Sequence, residues 1–296
     1  MTTNKHKLAI ALAAGVLVAA CPVVPSLASG GKVLEKVYSR AWKDAKSVDY
    51  VVPPTDELAA MQQVFVRLLK GEPVKAMASD LQALGWAMYT ESVGGITWTI
   101  VAEAENQRRG RGLYAFSNAG RHALEAPHVP SDELTGQILL RYAEDGLPRA
   151  LAWNTVPRKT ADVAHLDGTY LIAFSRAFAQ VYPSEKILQL HGFDAQRRRS
   201  DAGSDSSAII SAAHKNPPPE LKLAVKCMQQ EIEKRTRLYG VDVHELGATT
   251  NSVARALRNE GYQGFIHVEM DSSLREQLLD APAKRQALLN CLGGAT

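Results

Sequence analysis

From Arg121 to its C-terminus the chain alternates short apolar runs with longer helical patterns, and this alternation restricts the fold more than any other feature. The runs at residues 122–126, 149–154, 186–190, 207–212 and 264–269 are too short for ordinary helices and are bounded by turn-forming residues, which predicts strands. The intervening patterns predict helices over 132–144, 168–181, 219–235, 252–259 and 281–292. Strands alternating with helices predict an α/β fold with a largely parallel sheet, whose functional groups lie at the carboxyl ends of strands. Upstream, residues 86–92, 96–103 and 113–116 predict further strands, with Gly94-Gly95 as a hairpin turn. Helical patterns at 33–45, 56–70 and 74–84 come before them. Thr55 is a candidate cap for the second, whose Leu58, Met61, Phe65, Leu68 and Leu69 share one face. The organisation expected is a leader at 1–28, a small N-terminal helical segment at 29–90 and an α/β domain at 91–296.

The leader is short and basic at its start, with Lys5 and Lys7, and then apolar over residues 8–20. That run is too short to span a bilayer comfortably and fits a secretory signal peptide. Ser26-Leu-Ala28 offers small residues for cleavage, which implies a soluble periplasmic or exported protein. Val18-Ala-Ala-Cys21 is the alternative, a lipobox that would anchor the chain to the outer membrane through Cys21. No other membrane contact is expected. Cleavage after Ala28 lowers the formal charge from +3 to +1, because Lys5 and Lys7 leave and no acid does. This balance excludes an electrostatic case for nucleic acid. After cleavage Cys227 and Cys291 remain, and in an oxidising compartment they either pair or stay as two buried thiols.

Three strand ends carry ionisable groups, and burial makes such groups costly unless they have a function or a partner. His128 follows Pro127 in Glu125-Ala-Pro-His128, and Ser131 is placed to cap a helix with Asp132 in its first turn. His191 ends Gln189-Leu-His191 before Gly192. Glu269 ends Phe265-Ile-His-Val-Glu269. Two histidines and an acid leave a zinc site open for water. Asp132 is the nearer acid and Glu133 its rival. Glu269 is a candidate general base, and the plain alternative is an ion pair with Arg275. His267 shares the face of Glu269. In the loop after 149–154, Arg158 suits a carboxylate or an oxyanion, while Asp162 and His165 are candidates to line a substrate pocket. Asn251 and Arg275 are further substrate-binding candidates, and Asn251 can equally cap the helix after it. There is no G-x-S-x-G, no Walker loop and no zincin helix.

The stretches EAPHVPSDELT, NTVPRKTADVAH, QLHGF, LGATTN and FIHVEMDSSLR resemble a group of exported bacterial proteins related to the zinc carboxypeptidase and N-formylglutamate amidohydrolase superfamily. The resemblance covers roughly residues 110–292. It implies an α/β fold with a mixed, mostly parallel sheet flanked by helices. It also implies zinc on His128, Asp132 and His191, with Glu269 acting on water. Zinc carboxypeptidases place the acidic ligand three residues after the first His, where this chain has Ser131, so Asp132 and Glu133 both stay open. The function expected is zinc-dependent hydrolysis of an amide bond in a small peptide or amino-acid derivative, including cell-wall peptides. The alternatives are a non-catalytic envelope protein that binds a peptide or metal, and a zinc-dependent deacetylase.

Overall fold

The computed structural model describes residues 32–43, 45, 48–93 and 95–294. The expected signal peptide and the alternative lipobox at Cys21 lie outside the described residues. Among the described residues no helix is long and apolar enough to cross a membrane.

Among the described residues three helices come first: α1 (Val33–Lys43), α2 (Thr55–Leu69) and α3 (Ala78–Ala83). Three strands follow, β1 (Trp86–Val93), β2 (Ile96–Glu103) and β3 (Leu113–Ser117), so the boundary expected at residue 90 falls inside β1. The alternating part comprises β4 (Arg121–Ala126), α4 (Thr135–Asp145), β5 (Pro148–Trp153), α5 (Tyr170–Val181), β6 (Ile187–Gly192), α6 (Asp201–Ser204) and β7 (Ala208–Ser211). It continues with α7 (Pro219–Glu231), β8 (Thr236–Leu238), α8 (Ser252–Asn259), β9 (Phe265–Met270), α9 (Ser272–Asp280) and α10 (Pro282–Gly293).

All nine strands form one mixed sheet in the order β1-β2-β3-β5-β4-β6-β9-β7-β8. Its centre, β5-β4-β6-β9, is parallel. The expectation of a mostly parallel sheet is corrected at the edges. The pairs β1-β2, β2-β3, β3-β5 and β7-β9 are antiparallel, as many as the parallel ones. The reason at β1–β3 is connection length: these segments are too short to hold a crossover helix, so the chain must turn back as a meander.

Strands β4, β6 and β9 bury both faces. One face presents Leu124, Leu188, Leu190, Ile266 and Val268 to α1, α4, α7, α9 and α10. The other presents Ala123, Ile187 and Phe265 to α2, α5 and α8. On that second face the apolar pattern breaks. Cross-strand register aligns Glu125 with Gln189, Gln189 with His267, and His267 with Ser211, a polar row across four strands. One step nearer the carboxyl ends, His191 stands beside Glu269. Cys227 and Cys291 are joined in a disulfide that ties α7 to α10 on the opposite face.

Candidate active site

The carboxyl ends of β4, β6 and β9 open into a cavity of about 900 Å³. The turn after β4 delivers His128, the end of β6 delivers His191 and the end of β9 delivers Glu269, as strand-end positions require. Asp132 reaches the same point by a different route from the one expected. Helix α4 begins at Thr135 and Ser131 does not cap it. Asp132 instead sits in the turn before the helix, its N–H donating to the His128 carbonyl (3.0 Å) and its own carbonyl accepting from Thr135 Oγ1 (2.7 Å). This short loop brings the His128 and Asp132 side chains together.

Asp132 Oδ2 lies 3.4 Å from His128 Nδ1 and 3.2 Å from His191 Nδ1, and the two Nδ1 atoms are 3.0 Å apart. Each imidazole has an acceptor on its other nitrogen: Asp162 Oδ1 lies 2.9 Å from His128 Nε2, and Gln189 Oε1 lies 3.0 Å from His191 Nε2. Hydrogen on both Nε2 atoms leaves two Nδ1 lone pairs and a carboxylate oxygen converging on one point. Three acceptors that close repel one another unless a proton or a metal cation stands between them. Ligands of a tetrahedral zinc are themselves about 3.3 Å apart for metal–ligand bonds near 2.0–2.1 Å. The donor set therefore fits the ion expected from the sequence, and each histidine has the outer hydrogen bond that metal-bound imidazoles use. Glu133 is exposed, while Asp132 is the acid held between the histidines.

In the metal-free site a proton on His128 takes the place of the cation. Burial opposes charge on His128, yet its bonds to Asp132 and Asp162 outweigh burial and raise its pKa. Burial dominates at His191 and lowers its pKa to about 4. Asp132 is buried too, but its two histidine partners hold its carboxyl well below the usual range. Burial, reinforced by the charge of Asp132, pushes Glu269 up to about 8. A cation among the three ligands would bring that value back down. Glu269 lines the cavity, and its Oε2 is buried with no hydrogen-bond partner. The ion pair between Glu269 and Arg275 considered from sequence does not form. Glu269 instead stands beside His267, whose Nε2 is 3.8 Å from Oε1 and whose pKa burial lowers well below its ordinary value, so the contact is not ionic.

Arg158 is exposed at the rim, its Nε donating to Asp162 Oδ2 at 3.0 Å, so Asp162 links Arg158 to His128. His165 also lines the cavity, its ring stacked 6.4 Å from that of His128. Arg275 is buried in the wall, where its Nη1 donates to the Met270 carbonyl (3.1 Å). Its guanidinium lies against Gly192, where an added Cβ would come within 1.8 Å of Nη1. Asn251 lines the cavity too, but its side chain is committed. Its Oδ1 caps α8 by accepting from Ala254 N (3.0 Å), and its Nδ2 donates to Gln189 Oε1 (2.6 Å).

Sequence reasoning quoted Glu125 and Gln189 without assigning them a role. The signal that could have found them is strand periodicity. Gln189 stands two residues before His191, and His267 two before Glu269, so each shares a face with its neighbour inside an apolar run. Comparison with known protein families found no matching family model, and comparison with curated proteins found no match.

Proposed function

We propose that the chain is an exported zinc-dependent hydrolase of amide bonds, acting on small peptides or amino-acid derivatives, with the fold of zinc carboxypeptidases. The observation that carries this reading is the convergence of His128 Nδ1, His191 Nδ1 and Asp132 Oδ2 near the buried carboxyl of Glu269, one of whose oxygens has no hydrogen-bond partner. The resemblance implies a mixed, mostly parallel sheet, and the sheet is mixed with a parallel centre and antiparallel edges. A disulfide between Cys227 and Cys291 is in keeping with an oxidising compartment. Release at Ala28 or acylation at Cys21 would then separate a periplasmic protein from an outer-membrane lipoprotein.

Zinc on these ligands would supply Lewis acidity and lower the pKa of a water to about 7. Glu269 takes the proton of the attacking water and delivers it to the leaving nitrogen as the C–N bond breaks, giving an acid and an amine. Its Oε2 has no hydrogen-bond partner to give up first. Arg158, steadied by Asp162, meets the developing oxyanion or a carboxylate of the substrate. The cavity, at about 900 Å³, admits a short peptide.

The test is metal analysis of protein purified without chelator, followed by a screen of amide substrates. One zinc per chain is expected, lost in His128→Ala and His191→Ala and retained in His214→Ala. Glu269→Gln is expected to keep zinc and lose on the order of 10²-fold or more in turnover. Full zinc occupancy in the His191 variant rejects the site. Loss of zinc in the Glu269 variant makes Glu269 a ligand and removes the mechanism.

A further inference from the structure

Beneath the candidate ligands, Glu125 on β4 and Gln189 on β6 have no exposed surface. Desolvating two such groups is costly, and each must have partners. The partners form a chain with only one consistent orientation. The Ala254 N–H can only donate, so the Asn251 oxygen faces it and the Asn251 amide nitrogen faces Gln189. The Gln189 atom that meets this nitrogen must be the oxygen. Its own amide nitrogen therefore faces Glu125 and donates to Oε2 at 2.7 Å. Glu125 Oε1 is held by the Ser175 hydroxyl at 2.6 Å. An amide flipped at Gln189 would set nitrogen against nitrogen at Asn251 and leave Glu125 without its donor.

The consequence reaches His191. Gln189 Oε1 lies 3.0 Å from His191 Nε2 and can only accept, so the imidazole must carry its hydrogen there. That leaves Nδ1 as the lone-pair atom, turned toward Asp132 and His128.

We infer that Gln189 is a positioning residue that locks His191 in its metal-binding tautomer, with its amide orientation dictated by Asn251 at the start of α8 and by Glu125 on β4. Asn251 thereby couples a helix cap to the chemistry of a strand-end histidine, and Glu125 acts at the far end of the same chain. The effect on metal rests on the zinc reading above, but the tautomer itself does not. Outer-sphere partners of this kind are worth roughly 10–100-fold in metal affinity.

The experiment pairs imidazole ¹⁵N NMR of metal-free protein with zinc titration against a chromophoric chelator. In the wild type, His191 is expected to carry hydrogen on Nε2. Gln189→Leu is expected to give a mixture of tautomers and to weaken zinc binding by roughly 10–100-fold. The exchange Gln189→Glu with Glu125→Gln keeps an acceptor toward His191 and Asn251 and a donor between the two side chains. It is expected to restore both the tautomer and most of the affinity, and so separates orientation from loss of folding. A wild-type His191 with hydrogen on Nδ1 overturns the inference outright. A folded Gln189→Leu variant with an unchanged tautomer and zinc affinity within twofold of wild type overturns it as well. Wild-type protein with the expected tautomer and no affinity for zinc rejects the metal reading and leaves the tautomer lock standing.

Discussion

Glu125 is a fully buried carboxyl group whose hydrogen-bond partners, Ser175 and Gln189, are neutral. Burial raises its pKa to about 7 from an ordinary value of 4.5. The sign of its pH effect follows. Below 4.5 the carboxyl is protonated in both folded and unfolded chains, and its contribution to stability is fully present. As pH rises toward 7 the unfolded chain ionises freely while the folded one resists, and stability is lost at about 1.4 kcal/mol for each unit of separation. Glu269 acts in the same direction, so the wild-type curve alone would not isolate Glu125. His122, His191 and His267, whose pKa values burial lowers, act in the opposite direction below about pH 6.5, so the net wild-type slope is not the readout. The readout is the difference between the two metal-stripped proteins: the denaturant midpoint of Glu125→Gln, which cannot ionise, should rise relative to wild type as pH goes from about 5 to 8. Superimposable slopes for the two proteins would exclude Glu125 as a source of the pH dependence. At this scale the candidate site residues were readable because His128, His191 and Glu269 interrupt apolar runs at the places where strands end. The choice of Asp132 over Glu133 was not readable. It depends on where α4 starts, and Leu134 at φ +69° delays that start to Thr135.

At the scale of elements, periodicity showed β4, β5, β6, β7 and β9 and most of the helices between them. It missed β8, whose three residues Thr236–Leu238 are too few to show a period, and α9, whose Ser272–Asp280 run directly follows a strand. Strand direction was also hidden. An apolar run looks the same whichever way its neighbour points, so the antiparallel pairing of β7 with β9 could not be seen. The pairing of Cys227 with Cys291 was left open by the sequence, and the packing of α10 against α7 now accounts for it. These helices lie on the face opposite Glu125, Gln189 and Asn251. A cross-link closing 64 residues stabilises by about 4 kcal/mol in the chain-entropy account. The double variant Cys227→Ser/Cys291→Ser should therefore melt several degrees lower while its zinc stoichiometry stays unchanged. A melting temperature equal to wild type under oxidising conditions would show that the bond contributes nothing to the fold. Loss of zinc in protein that is still folded would show that the two faces of the sheet are coupled.

At the scale of the whole molecule, the N-terminal helices belong to the same hydrophobic core as the site's scaffold. Helix α2 buries Met61, Val64, Phe65, Val66, Leu68 and Leu69. Phe65 packs 4.7 Å from the ring of Tyr114 on β3 and 5.9 Å from that of Phe174 on α5, the helix whose Ser175 holds Glu125. Each such side chain is worth roughly 1.5–3 kcal/mol when buried. Together they rival the whole net stability of a domain, about 5–15 kcal/mol. Arg111 adds a polar fastening. Buried between β2 and β3, it pairs with Glu103 and with Glu57 of α2, each at 3.0 Å, and stacks 4.6 Å over Trp86. It also donates to the carbonyls of Leu84 and Gly85, which lead into β1. A chain beginning at Trp86 would lack α1–α3, expose this apolar face and leave Arg111 without Glu57. It should show no cooperative thermal transition, bind a hydrophobic dye and fail to bind zinc, although every candidate ligand is retained. Arg111→Met in the full chain should lower the melting temperature, because Glu103 keeps a buried charge without its cation. Zinc affinity measured below that temperature should be unaffected, since Arg111 touches none of the ligands. A Trp86-initiated chain that melted cooperatively and bound zinc would make the helices an accessory to a self-sufficient sheet. The burial around Phe65 argues that the sheet cannot hold the site without them.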